Sequence, residues 1–175
     1  MASNTGVKGL EEVMVNLNKE LAFIKAKSTR GMVLAAYFIR NKMEEETPLT
    51  PVDYGNLRSS WFIVTANKKE AGDSYNKTFL GPNAAKLTSD HSTTVTAAQG
   101  IVAAQSVGNR SVLMMGYTAN YAMYVHEMIG ANFNPEKRKG KAVRREGAGA
   151  KWLETAIKRN KEKIVQIIRD NAKVL

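Results

Sequence analysis

The stretch Pro51-Val52-Asp53-Tyr54-Gly55-Asn56-Leu57-Arg58-Ser59-Ser60-Trp61-Phe62-Ile63-Val64-Thr65 divides the chain into two kinds of sequence. Its first half is dense in turn formers. Pro51 stiffens the approach, Asp53 can accept backbone N–H bonds, and Gly55 permits a positive φ. From Leu57 to Thr65 the residues are largely β-branched or aromatic, which predicts a strand. On that reading Leu57 opens the buried side and Arg58 points to the opposite face.

Upstream of this stretch the period is helical. Leu10, Val13, Met14, Leu17, Leu21 and Ile24 recur at three- and four-residue steps, and Ala35, Phe38, Ile39 and Met43 resume the pattern. Ser3, Asn4 and Thr5 are capping candidates, and Glu11 and Glu12 suit the positive end of the macrodipole. Pro48 and Pro51 end the helix by Glu46. Unbroken from Gly9, it spans about 55 Å, more than the width of a small core. Either it bends near Gly31, or another subunit covers part of its stripe. Glu44, Glu45 and Glu46 sit at its negative end, where a cationic partner or plain solvation must offset the repulsion.

Downstream, Lys77-Thr78-Phe79-Leu80 predicts a short strand and Ser111–Tyr117 a stronger one, while Ala119–Glu127 fits a short helix. Between Asp90 and Arg110 lie 19 residues without a formal charge, rich in Thr, Ala, Gln and Val. Strand propensity on both sides of Gly100 predicts a long hairpin or extended loop over 86–110. Such a loop serves an interface or is a disordered insertion. A last helix from Ala150 to Ala172 carries Trp152, Leu153, Ala156, Ile157, Ile164, Val165, Ile167 and Ile168 on its apolar face. The fold class is therefore α+β, in one domain over 1–175. It has a long N-terminal helix, a small, mainly antiparallel sheet, a short helix and a C-terminal amphipathic helix packed on the sheet.

The chain has 175 residues and a formal net charge of +10. That charge is unevenly placed: residues 1–46 and 47–130 each carry +1, and residues 131–175 carry +8. The densest run is Lys137, Arg138, Lys139, Lys141, Arg144 and Arg145, with Gly140, Gly147 and Gly149 beside it. Glycine opposes a helix there, so 130–149 reads as a basic loop. Two roles suit such a loop. It is a solvated segment, or it contacts phosphate or an acidic protein surface.

Much chemistry is excluded. There is no cysteine, so neither disulfides nor thiol catalysis are open to the chain. His126-Glu127 begins like a zinc-protease helix, but Gly130 stands where the second histidine is required. Neither a nucleophile elbow nor a phosphate-cradling glycine loop occurs. Asp53 reads as a turn residue rather than a general base. No catalytic constellation, cofactor site or metal site is predicted. Residues 1–6 lack the parts of a secretion signal, and no run of 18 apolar residues exists to cross a membrane. The expectation is a soluble protein made in the cytoplasm.

Two segments carry a resemblance. Pro51, Val52, Asp53, Gly55, Leu57 and Arg58 stand in a pattern that resembles the Pro-Val-Asp-Thr-Gly-x-Leu-Arg-x-Ser turn of the tail-completion, or neck, proteins of long-tailed bacteriophages. Tyr117–Glu127 is similar to that family's Tyr-Ala-x-Tyr-Val-Glu-Phe-Gly segment, through Tyr121, Ala122, Tyr124, Val125 and Glu127. The order of elements agrees from about Gly9 to Ala172. The chain departs at Met128-Ile129-Gly130, where the family has a Phe-Gly-Thr turn, and in the uncharged stretch from His91 to Asn109.

The resemblance implies a virion structural protein without enzymatic turnover. It implies a homo-oligomeric ring at the head–tail junction, hexameric, or of twelve subunits on the head side. The partners so implied are the head connector or adaptor and the tail tube or tail terminator, with phage DNA passing through the channel without sequence-specific binding. Arg58 and Glu127, one from each segment, are a candidate ion pair, in the same subunit or between neighbouring ones. The basic residues Lys137 to Arg145 are candidate partner or phosphate contacts. Weighing charge above pattern gives a different reading, a basic nucleic-acid-binding protein. A small nuclease built on Glu127 ranks third.

Overall fold

A computed structural model of the chain describes residues 10–52, 55–68, 78–131, 133 and 145–173. Among them the elements run α1 (Leu10–Glu45), α2 (Asn56–Ser59), β1 (Trp61–Thr65), α3 (Ala84–Gln105), β2 (Leu113–Tyr117), α4 (Ala122–Glu127), α5 (Trp152–Arg159) and α6 (Lys161–Ala172). The class is α+β, as the sequence predicts.

The sheet is the middle layer. β1 and β2 pair antiparallel, with Trp61 opposite Tyr117 and Thr65 opposite Leu113. Alternate side chains leave a strand on opposite faces. Trp61 and Ile63 accordingly join Ala36, Ile39, Met43, Trp152 and Ala156 in one core, between the sheet, α1 and α5. Phe62 and Val64 join Val95, Ala98 and Val102 of α3 in a second core on the other side. All five residues of β1 are buried, because both faces are covered.

Three elements differ from the sequence reading. Residues 86–110 do not form a hairpin: most of them belong to α3. Its buried residues Leu87, His91, Val95, Ala98 and Val102 fall at helical steps, and that period outweighs the strand propensity of Thr and Val. Gly100, read as a hairpin centre, sits on the exposed face of this helix. The strand expected from Leu57 begins only at Trp61. Gly55 adopts a left-handed φ of 82° and turns the chain into α2, where Leu57 is buried on a helical turn. The segment 78–80 forms no strand, and Lys77 lies outside the described residues.

The terminal helix is two helices that meet at Asn160. The Asn160 side chain donates to Ala156 O at 3.0 Å and to Glu46 Oε2 at 3.3 Å, which ties the junction to the end of α1. From there α6 returns antiparallel along α1. Gly31 seats it: a Cβ at this position would stand 3.0 Å from both Ile168 O and Asn171 Cβ. α1 runs unbroken through Gly31. That glycine marks a close approach rather than a bend.

Candidate interaction site

The chain leaving α1 places the site. Leu49 pairs with the 147–149 strap, its N–H donating to Gly147 O at 2.8 Å and its carbonyl accepting from Gly149 N at 3.2 Å. This strap delivers Arg145 to the C-terminal end of α1. There Arg145 forms an ion pair with the Glu44 carboxylate and also donates to the Glu44 carbonyl. Arg58 Nε stands 3.0 Å from Glu44 Oε2, and Arg40 Nη1 is 3.7 Å from Oε1. Arg40 is only 1 % exposed, and its other terminal nitrogen donates to Arg58 O at 3.1 Å. Three guanidinium groups thus surround one carboxylate at the negative end of a helix.

Beside them Tyr117 closes the network. Its hydroxyl accepts from Trp152 Nε1 at 3.1 Å and lies 3.5 Å from Thr50 Oγ1. Burial pushes the Tyr117 phenol above its ordinary value, with the charge of Arg40 opposing.

An open groove of about 580 Å³ lies next to this cluster. Pro51, Val52 and Leu57 border it from the first motif, and Tyr121 and Val125 from the second. The two segments are adjacent because the sheet makes them so: Thr118 N donates to Ser60 O at 2.9 Å, one step beyond the strand pair. Asn56 fixes the far wall. Its side-chain amide donates to Leu80 O at 2.8 Å and accepts from Leu80 N at 2.7 Å, as a backbone partner would. Lys86, Asp90 and Arg145 supply charge at the rim.

Within one subunit the expected Arg58–Glu127 pair is replaced by others. Arg58 turns to Glu44, because α2 points it toward the end of α1. Glu127 instead meets Lys151, and His126 Nδ1 lies 2.8 Å from its carboxylate. Lys151 and then His126 hold the Glu127 carboxyl below its ordinary value. Arg145 pairs with Glu44 and also lines the groove. Lys137, Arg138, Lys139, Lys141 and Arg144 lie outside the described residues, as does Asp53. In the second motif Ala122 is buried and Val125 partly so, whereas Tyr124 is 69 % exposed. Tyr121 stands at the edge of the groove.

The residues that sequence reasoning missed are Arg40, Thr50, Asn56 and Tyr117. One signal pointed to the first: three glutamates at a helix C-terminus demand cations, and Arg40 lies one turn before Glu44.

Among the described residues, apolar side chains stand exposed in several places, two of them grouped. Every residue from Glu11 to Glu20 is exposed, including Val13, Met14 and Leu17. Met123, Tyr124 and Ile129 expose a second apolar group around α4. Among the described residues, no group of three His, Cys, Asp or Glu is placed to hold a metal, and no helix is long and apolar enough to cross a membrane. No family model, curated protein or solved structure matches the chain.

Proposed function

We propose that this chain is a structural protein of a phage virion, one that forms a ring at the head–tail junction and has no catalytic turnover. The observation that carries the reading is the meeting of Pro51, Val52 and Leu57 with Tyr121 and Val125 at one groove. These segments are 60 or more residues apart in sequence, yet they share a surface, as the parts of one docking site would. The bare first turns of α1 and the exposed Met123, Tyr124 and Ile129 support it, since contiguous apolar surface marks protein contacts. Its neighbours in this proposal are the head connector on one side and the tail tube or terminator on the other. DNA passes through the ring without base readout.

The test is location. Phage particles assembled with an epitope-tagged chain should carry the label at the neck, and the ring should have six-fold symmetry in images of that region. Label absent from purified virions overturns the proposal.

The nucleic-acid reading is separated by salt. A phosphate binder loses affinity steeply as salt rises, with a slope set by the phosphates it neutralises. The proposal expects weak, shallow binding to duplex DNA at most.

A further inference from the structure

We infer that the first four turns of α1 dock on the outer face of α5 and α6 of a second copy of this chain, in a head-to-tail contact. The inference rests on the ring reading and deepens it by naming the surfaces that meet.

The first observation is that the start of α1 has no cover among the described residues. α6 reaches back along α1 as far as Lys27, whose Nζ donates to Lys173 O at 3.1 Å. Lys25 Nζ then donates to Ser106 O at 2.9 Å and Gly108 O at 2.7 Å, closing on the end of α3. Beyond Lys25 the helix continues to Leu10 with Val13, Met14 and Leu17 all at least half exposed. A solitary helix of this length is marginal in water, because helices draw most of their stability from packing an apolar face.

The second observation is what α5 and α6 present outward. No residue of α6 is fully buried, although it packs along α1. Val165 is 45 % exposed and stands one turn from both Lys161 and Arg169, so the three share an outward line. Ile157 and Lys158 are likewise exposed on α5.

Charge selects between the possible seats. Leu10–Ile24 carries Glu11, Glu12 and Glu20 against the single cation Lys19. Pairing this segment with itself would set glutamate against glutamate, and like charges across a contact disfavour it. The outer face of α3 from Ser92 to Gln105 has no charge to offer. α5 and α6 together carry five basic residues to three acidic, flanking exposed apolar side chains. An apolar ridge edged with acid therefore meets an apolar line edged with base. α6 would lie between its own α1 and that of the neighbour. The contact joins two different surfaces, so repetition closes a ring where the rotation allows.

The test uses two variants, Leu17→Asp and Val165→Asp, both at exposed positions where the fold should be retained, as checked by circular dichroism. Light scattering on the purified parent should show a multiple of the 19.3 kDa chain. Each variant alone should be monomeric. An equimolar mixture of the two should stop at a dimer, because each supplies the one surface that the other retains. Raising salt should weaken the parent assembly. Replacing Glu11, Glu12 and Glu20 by Lys should abolish it, and a second chain with Lys158, Lys161 and Arg169 changed to Glu should restore pairing. A parent that assembles while both variants assemble equally well overturns this contact and leaves the ring reading standing. A mixture that stays monomeric overturns the head-to-tail arrangement. A parent monomeric at every concentration overturns the contact, whereas the fate of the neck reading is decided separately by the label in virions.

Discussion

Arg58 Nε lies 3.0 Å from Glu44 Oε2, joining the turn after Gly55 to the last turn of α1. With Arg40 and Arg145 on the same carboxylate, this ion pair is the point at which the long helix, the motif turn and the 145–149 strap converge. Among the described residues Glu44 is the carboxylate that these three guanidinium groups share, and Arg40 is buried within the cluster.

Glu44→Gln should therefore destabilise strongly. Removing the shared carboxylate of a largely buried ion cluster takes away much of the compensation for its desolvated cations, at a cost of about 3 kcal/mol. Urea denaturation should show a lowered midpoint with an unchanged slope. Glu127→Gln, at an exposed pair screened by solvent, should move the midpoint far less. Equal midpoints for the two variants would contradict the cluster's role.

Tyr117→Phe isolates the hydroxyl. The ring would keep its edge contacts with Trp61 at 5.3 Å and Trp152 at 6.0 Å between centroids. Trp152 Nε1 would lose its acceptor in a buried site, costing roughly 1–3 kcal/mol. The fluorescence of Trp152 should shift as its environment relaxes. An unchanged spectrum and midpoint would remove the network from the account.

Two glycines predict opposite outcomes. Gly31→Ala forces α1 and α6 apart, since the added carbon meets Ile168 O and Asn171 Cβ at 3.0 Å, and should cost about 1–3 kcal/mol. Gly100→Ala meets nothing within 4 Å on an exposed helical face and should stabilise by about 0.5–1 kcal/mol. Thermal melts of the two variants should move in opposite directions.

Stability should be flat between acid and alkaline limbs. Lys42 holds the Glu46 carboxyl low, Lys151 does so for Glu127, and Lys158 for Glu154. A depressed carboxyl contributes stability that is present above its unfolded value of 4.5 and is lost as pH falls through its folded value. Lys42 and Lys151 are raised by these same glutamates, and burial raises Tyr117. Their contributions hold below the unfolded values of 10.5 and 10.0 and are lost as pH climbs through the folded ones. Lys151→Met should shrink the acid limb in a pH series of denaturation midpoints. An acid limb of unchanged size would show that Lys151 does not set it.

The long helix, the second strand and the short helix at Ala122 were legible, because each announces itself by a local period. α3 was not. Its strand-forming residues speak locally, while the helical spacing of Leu87, His91, Val95, Ala98 and Val102 acquires meaning only against the sheet that buries it. Asn160 likewise lies inside a continuous apolar pattern, and its break follows from a tertiary bond to Glu46. Of the site, the motif turn was visible as turn chemistry, whereas the partner of Arg58 was not. Choosing Glu44 over Glu127 requires knowing that Leu57 and Arg58 sit on a helical turn.

Lys25 gives the molecule a fulcrum. Its ammonium group clasps the carbonyls of Ser106 and Gly108, and beyond it α1 continues for about 22 Å with no support among the described residues. A tilt of ten degrees at that clasp would swing the free end by about 4 Å, with no change in either core. Loosening the clasp therefore changes the aim of the arm while leaving the body of the protein intact.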